Sequence, residues 1–143
     1  MAERIYIVRH GYAYEVPNGE LTPRGKMDAE RLAINLKKDL GETPVEIWSS
    51  TALRAEETAR IIVKAKVQGP AVRFEEKLWC DNEHDHDFKW LEKQLIASTA
   101  GVIVIVTHKE YVNKFPASIG YDENEIEYAQ GVLISGGMCV LYG

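Results

Sequence analysis

Two unbroken apolar runs, Ile5-Tyr6-Ile7-Val8 and Val102-Ile103-Val104-Ile105-Val106, constrain what this chain can fold into more than any other feature. Both are β-branched or aromatic throughout and lack polar alternation, which is the pattern of strands covered on both faces by helices. Both also stop abruptly at polar chemistry. The first ends at Arg9-His10-Gly11 and the second at Thr107-His108. In an open α/β sheet, ligands collect just beyond the carboxyl ends of the strands, so both imidazoles are expected where such a fold does its work. Gly11 is expected to let the backbone turn sharply or approach a ligand closely.

The segments between these runs support the same architecture. Thr22 reads as an N-cap with Pro23 at the first helical position, a place where the missing N–H costs nothing. Ala29, Leu32, Ala33, Leu36 and Leu40 recur at helical spacing, and Gly41 reads as the stop. Val45 to Trp48 is a second strand, and Ser49-Ser50-Thr51 is expected to begin a helix running to about Ala65. Leu53, Ala55, Ala59, Ile62 and Val63 are its candidate apolar positions. Gly69-Pro70 breaks the chain, and Val72-Arg73-Phe74 reads as a short third strand. The first half therefore alternates strand and helix, the signature of a largely parallel sheet. Residues 75 to 88 break that rhythm, and Trp79 to Asp87, dense in acids and imidazoles, reads as a loop. Phe88, Leu91, Leu95 and Ile96 then restore helical spacing, and another helix is expected over Glu110 to Ser118, its end blurred by Pro116. Residues 131 to 142 read as two strands joined by Gly136-Gly137. No repeat or linker interrupts the chain, so one domain over residues 1–143 is expected, a three-layer αβα sandwich with a mostly parallel sheet.

Composition narrows the function. A chain of 143 residues that is 45% hydrophobic and 27% charged has the balance of an ordinary globular domain. The net charge of −5 and the absence of a long Lys/Arg run argue against nucleic acid as a partner. No signal-peptide pattern opens the sequence, and no stretch approaches the roughly 20 apolar residues of a membrane span. Cys80 and Cys139 read as free thiols, so a cytoplasmic setting without membrane association is expected.

If the strands ending at His10, Trp48 and His108 are parallel neighbours, Arg9, His10, Arg54 and His108 open on one edge of the sheet, beside the start of the second helix. Two guanidinium forks, a helix N-terminus and two imidazoles suit a tetrahedral dianion. A neutral imidazole can also take a phosphoryl group covalently, and crowded cations are expected to hold His10 in that neutral form.

The motifs Arg9-His10-Gly11, Leu21-Thr22-Pro23-Arg24-Gly25, Ser49-Ser50-Thr51-Ala52-Leu53-Arg54-Ala55-Glu56-Glu57-Thr58-Ala59 and Val106-Thr107-His108 resemble, in order and spacing, those of the histidine phosphatase superfamily, the phosphoglycerate-mutase-like fold. The short length and the compact region after His108 are most similar to the SixA-type phosphohistidine phosphatases. This resemblance implies that His10 is the phosphorylated nucleophile and that Arg9 and Arg54 clamp the phosphoryl oxygens. It further implies that His108 binds the same group in flight, that Gly11 fixes the His10 ring through its backbone, and that no metal or other cofactor is needed. The general acid carried by many members has no clear counterpart here. Asp81 and Glu83 are the candidates. A phosphohistidine leaving group, an imidazole with a pKa of about 6.5, departs without such an acid, whereas an alkoxide needs one. The gap between Arg60 and Trp79 is also too short for a cap domain over the pocket, and an open pocket suits a phosphorylated side chain on another protein. A small phosphorylated metabolite as substrate, or a phosphate-binding module without turnover, are the alternatives.

Other polar features have plainer readings. Arg24 reads as solvated or ion-paired. Glu83-His84-Asp85-His86-Asp87 reads as a solvated acidic loop, because ligands one and two residues apart rarely converge on a metal. Trp48, Trp79 and Trp90 read as packing residues, and Cys80 as a bystander thiol near the site mouth.

Overall fold

In a computed structural model of the chain, which describes residues 1–65, 67 and 71–143, six strands form one sheet flanked by helices on both faces. The elements run β1 (Arg4–Arg9), α1 (Pro23–Leu40), β2 (Glu46–Ser50), α2 (Leu53–Lys64), β3 (Arg73–Glu75), α3 (Phe88–Ala97), β4 (Val102–Thr107), α4 (Lys109–Ser118), β5 (Gly131–Ser135) and β6 (Met138–Tyr142). A short 3₁₀ turn, Glu76–Leu78, follows β3. The sheet order is β3-β2-β4-β1-β5-β6. β1, β2, β3 and β4 pair in parallel, and β5 and β6 join antiparallel on one side. The break proposed at Gly69-Pro70 lies outside the described residues.

The apolar runs work as their pattern demands. Tyr6 and Val8 of β1, with Val102, Val104 and Val106 of β4, pack against Leu32, Leu36, Ala55, Ala59 and Ile62 of α1 and α2. Ile5 and Ile7, with Ile103 and Ile105, face the opposite layer of Leu91, Leu95, Tyr111, Val112 and Phe115 on α3 and α4. Alternate side chains of one strand thus enter two different cores, which is why neither run shows polar alternation. With only residues 65–72 between α2 and β3, the chain carries no cap domain.

The local signals resolve in detail. Thr22 caps α1, its hydroxyl accepting the Gly25 N–H at 3.0 Å. Gly136 and Gly137, at φ 59° and 75°, make the tight turn between β5 and β6. Pro116 lies inside α4, in a last turn that ends at Ser118. Other expectations need correction. Ser49 and Ser50 belong to β2 rather than to a helix start, because pairing with β3 and β4 extends the strand; α2 begins only at Leu53. Leu53 and Val63 are exposed rather than buried on α2, as is Ile96 on α3. Among the described residues, no helix is long and apolar enough to cross a membrane.

Removing the α1 cap is a direct check on this reading. Thr22→Ala is expected to lower unfolding stability by about 1 kcal/mol in urea titration, and Thr22→Ser to restore most of it. An unchanged midpoint in Thr22→Ala would show that the hydroxyl carries no such load.

Candidate active site

The sheet order sets β4 between β1 and β2, so the carboxyl ends of these three parallel strands lie side by side. Arg9 stands opposite Thr107, and the His10 N–H continues the ladder to the Thr107 carbonyl at 3.1 Å. His10 and His108 consequently meet edge to face, their ring centroids 5.1 Å apart, and both are buried. Arg54, the second residue of α2, reaches over the end of β2 to both rings. Its Nε lies 3.2 Å from His10 Nε2 and its Nη2 lies 3.4 Å from His108 Nδ1.

The surrounding bonds fix each ring. His10 Nδ1 donates to the Gly11 carbonyl at 2.7 Å, which leaves the Nε2 lone pair facing Arg54 and the open chamber. On His108, Nε2 lies 2.9 Å from the Ser50 hydroxyl, which also accepts the Ala52 N–H. A neutral ring with its proton on Nε2 satisfies both contacts and turns Nδ1 toward the guanidinium. Thr58, one helical turn beyond Arg54, accepts the Gly11 N–H at 3.1 Å and donates to the Arg54 carbonyl at 2.8 Å. Arg9 is held by Nη1 donating to the Ile126 carbonyl at 2.9 Å and lies over the Tyr128 ring, 3.8 Å from its centroid. Its buried Nε finds no hydrogen-bond partner among the described residues.

Electrostatics follow from this crowding. Burial pushes the His10 ring down to about 3, with Arg54 and Arg9 adding to the shift and the Gly11 carbonyl opposing it. Burial likewise pushes His108 down to about 2, helped by His10 and Arg54 and opposed by Asp81. Burial, more than the neighbouring cations, is what keeps these imidazoles neutral, which revises the sequence expectation. Burial also lowers the Arg54 guanidinium, against the pull of Asp81, Tyr128 and Glu110. Among the described residues, no carboxylate lies within the 4.0 Å ion-pair distance of Arg9 or Arg54.

Arg9, His10, Arg54 and His108 line one chamber of about 470 Å³, and His10 and Arg54 also line an adjoining cleft of about 520 Å³. Asp81 borders both spaces and Glu83 the cleft. Asp81 is poorly suited to give a proton. Burial raises its carboxyl, but hydrogen bonds from the His84 ring, the Glu83 N–H and the Trp79 indole outweigh this and bring it down to about 2. A carboxylate held that low is ionised at neutral pH. Glu83 is exposed at the cleft rim, and its own N–H is spent on Asp81.

Packing also requires a glycine at position 11, since a Cβ there would meet the Gly25 carbonyl oxygen at 2.6 Å. The N-terminus of α2 is not a free donor array, because Asn18 Oδ1 takes the Leu53 N–H at 2.8 Å. Cys80 borders the chamber, but burial and the nearby Glu110 push its thiol up to about 12, so it is no nucleophile. Arg24 is solvent-exposed beside Asp28, and Trp48 is buried under Arg73. In the acidic loop, His84 bonds Asp81 while His86 stacks on Phe88. Ser50, Thr58, Tyr128 and Glu110 are site neighbours that the sequence did not single out. Only Thr58 carried a usable signal, its position four residues after Arg54 on the same helix face.

A model of the Histidine phosphatase superfamily (branch 1) matches residues 5–79. No curated protein matches the sequence. Among solved structures, the chain is similar to the protein histidine phosphatase SixA complexed with tungstate, at 18% identity and a TM-score of 0.82, covering 98% of this chain and 94% of that one. It is similar to a mycobacterial glucosyl-3-phosphoglycerate phosphatase at 18% identity and TM-score 0.73, over 98% and 96% of the two chains. It also resembles an Entamoeba histolytica phosphoserine phosphatase at 16% identity and TM-score 0.68, over 96% and 94%.

The burial of both imidazoles has a spectroscopic consequence. Their folded pKa values lie below the unfolded value near 6.5, so stability is full above that pH and drains away as pH falls toward the folded values. In NMR titration of the free protein from about pH 8 to about pH 5, the His10 and His108 ring signals are expected to stay unshifted. A midpoint near 6.5 for either ring would contradict the burial argument.

Proposed function

The chain belongs to the histidine phosphatase superfamily, branch 1, and on that premise we propose that it hydrolyses a protein phosphohistidine through a covalent intermediate on His10. One observation carries the proposal. Arg54 donates to the lone pairs of both imidazoles, and it lines one chamber with Arg9, His10 and His108 where, among the described residues, no carboxylate lies within ion-pair distance of either guanidinium. A phosphoryl dianion supplies the missing countercharge.

The chemistry then follows from the chain's own groups. A phosphoryl oxygen takes over the Arg54 Nε–H from His10 Nε2, and the freed lone pair attacks phosphorus, forming a new P–N bond as the P–N bond of the substrate breaks on the far side. The Nδ1–H bond to Gly11 holds the ring in the attacking tautomer and stabilises the positive charge it gains. Arg9 and Arg54 hold the equatorial oxygens during transfer. His108 presents Nδ1 to the same space, and the entering dianion favours a proton there, so that it can donate to an oxygen. The departing imidazole takes its proton from solvent at neutral pH without an enzymic acid. Water then attacks phosphorus, the P–N bond to His10 breaks, and phosphate leaves with the water's proton released to solvent.

Two features support the P–N substrate over an alkyl ester. Asp81 is an ionised acceptor rather than an acid. The cleft beside His10 is open and uncapped, which suits a side chain standing on another protein. We further propose that the reaction needs no metal, because guanidinium groups meet the charge demand.

With a phosphohistidine protein and a generic aryl phosphate as paired substrates, wild type is expected to favour the P–N bond in kcat/KM. His10→Ala is expected to abolish turnover of both. Arg54→Lys, which replaces a two-pronged donor by a point charge, is expected to lose about 10²-fold or more. Preference for the aryl ester would move the substrate to phosphomonoesters, and turnover of neither would leave a binding module. Incubation with a chelator is expected to leave the rate unchanged; its loss, restored by a divalent cation, would overturn metal independence.

A further inference from the structure

Asp81 is bonded far more heavily than an exposed loop residue requires. Its Oδ2 accepts the Trp79 indole N–H at 2.8 Å. Its Oδ1 accepts the Glu83 N–H at 2.8 Å, the His84 N–H at 2.9 Å and the His84 Nδ1 proton at 2.8 Å. The Asp81 N–H closes the turn on the His84 carbonyl at 2.9 Å. These bonds hold the Trp79 and His84 rings stacked, with centroids 4.1 Å apart and planes inclined by only 8°.

That stack lines the same 520 Å³ cleft as His10 and Arg54, together with Tyr14 and Tyr128. The cleft shares His10 and Arg54 with the chamber, so a group that carries the phosphoryl can lie in it. A rigid stack of near-parallel rings offers a flat partner more than it offers an aliphatic chain, because stacking and edge contacts add to simple area burial. A loop with no ligand to arrange has no need to spend four bonds of one carboxylate on orienting two rings.

We propose that Trp79 and His84, positioned by Asp81, form the leaving-group subsite, and that it takes a phosphorylated flat ring. This inference rests on reading the neighbouring chamber as the oxyanion site. The ring is either the imidazole of a phosphohistidine or the phenol of an aryl phosphate; a phosphorylated aliphatic alcohol gains no stacking there and is held less tightly. Asp81 is a positioning residue here, acting through the two rings and not on the reacting atoms.

The test uses the full chain and ligands that cannot be hydrolysed, so that it does not depend on turnover. Calorimetric affinities for phenylphosphonate, ethylphosphonate and tungstate are measured on wild type, Trp79→Leu, His84→Ala and Asp81→Asn. Wild type is expected to bind phenylphosphonate about three- to tenfold more tightly than ethylphosphonate. In Trp79→Leu and Asp81→Asn this ratio is expected to fall to within about twofold. The ratio cancels any change in the charge around the cradle, and tungstate binding shows that each variant is folded. His84→Ala keeps the indole and is expected to lose part of the preference, which secures the test should Trp79→Leu fail to fold. A wild type that binds tungstate but treats both phosphonates alike would overturn the ring subsite alone. A wild type that fails to bind tungstate would overturn the oxyanion site beneath it. A ratio unchanged in Asp81→Asn would remove Asp81 from the assignment. Phosphohistidine and phosphotyrosine peptides then separate the two ring sources by kcat/KM, and a faster phosphoserine peptide would contradict both.

Discussion

A guanidinium half-buried between two neutral imidazoles, with no carboxylate of its own, is the interaction on which the rest of this structure turns. Arg54 meets His10 at 3.2 Å and His108 at 3.4 Å through nitrogen atoms that carry lone pairs, not charge. Burying a cation without a counterion is costly, and removing water from around it sharpens its pull on any anion that enters. Arg9 repeats the pattern on a smaller scale, with one prong satisfied by a carbonyl and a buried Nε left over. On the proposed function, a tetrahedral oxyanion completes this arrangement. The same desolvation that raises this electrostatic demand keeps His10 deprotonated, so binding and nucleophilicity share one cause.

The sheet makes that juxtaposition possible. Placing β4 between β1 and β2 sets residues separated by nearly a hundred positions in adjacent rows, and the β2–α2 connection carries Arg54 across the end of β2. Small contacts then set the angles. The Gly11 N–H on Thr58 ties the loop after β1 to α2, and Gly11 packs so closely on Gly25 that a side chain would part them. Ser50, the last residue of β2, sets the His108 tautomer.

Much of this could be read in the linear sequence, for physical reasons that differ by residue. β1 and β4 were legible because a strand buried on both faces leaves no polar position, and Arg9, His10 and His108 stood out as the first polar groups after them. Thr22 and Gly41 were legible because capping is a local matter. Ser50 misled for the same reason: a Ser-Ser-Thr run imitates a helix cap, and only pairing with strands remote in sequence shows that the strand continues. The standing of Asp81 was hidden because a carboxylate's readiness to give a proton depends on how many donors surround it, and here the loop folds four onto it. Tyr128 sits in a segment without periodicity, and nothing before the fold tied it to Arg9.

The account's central claim is that the chamber is built around a nucleophile at His10, and trapping that covalent state tests it most directly. Wild-type protein mixed with a phosphoryl donor and quenched in alkali within the first turnover is mapped by mass spectrometry. The account predicts one phosphate per chain, stable to alkali, labile to acid and confined to the peptide bearing His10. Phosphate on another residue, or turnover with no phosphorylated enzyme at any quench time, would contradict it.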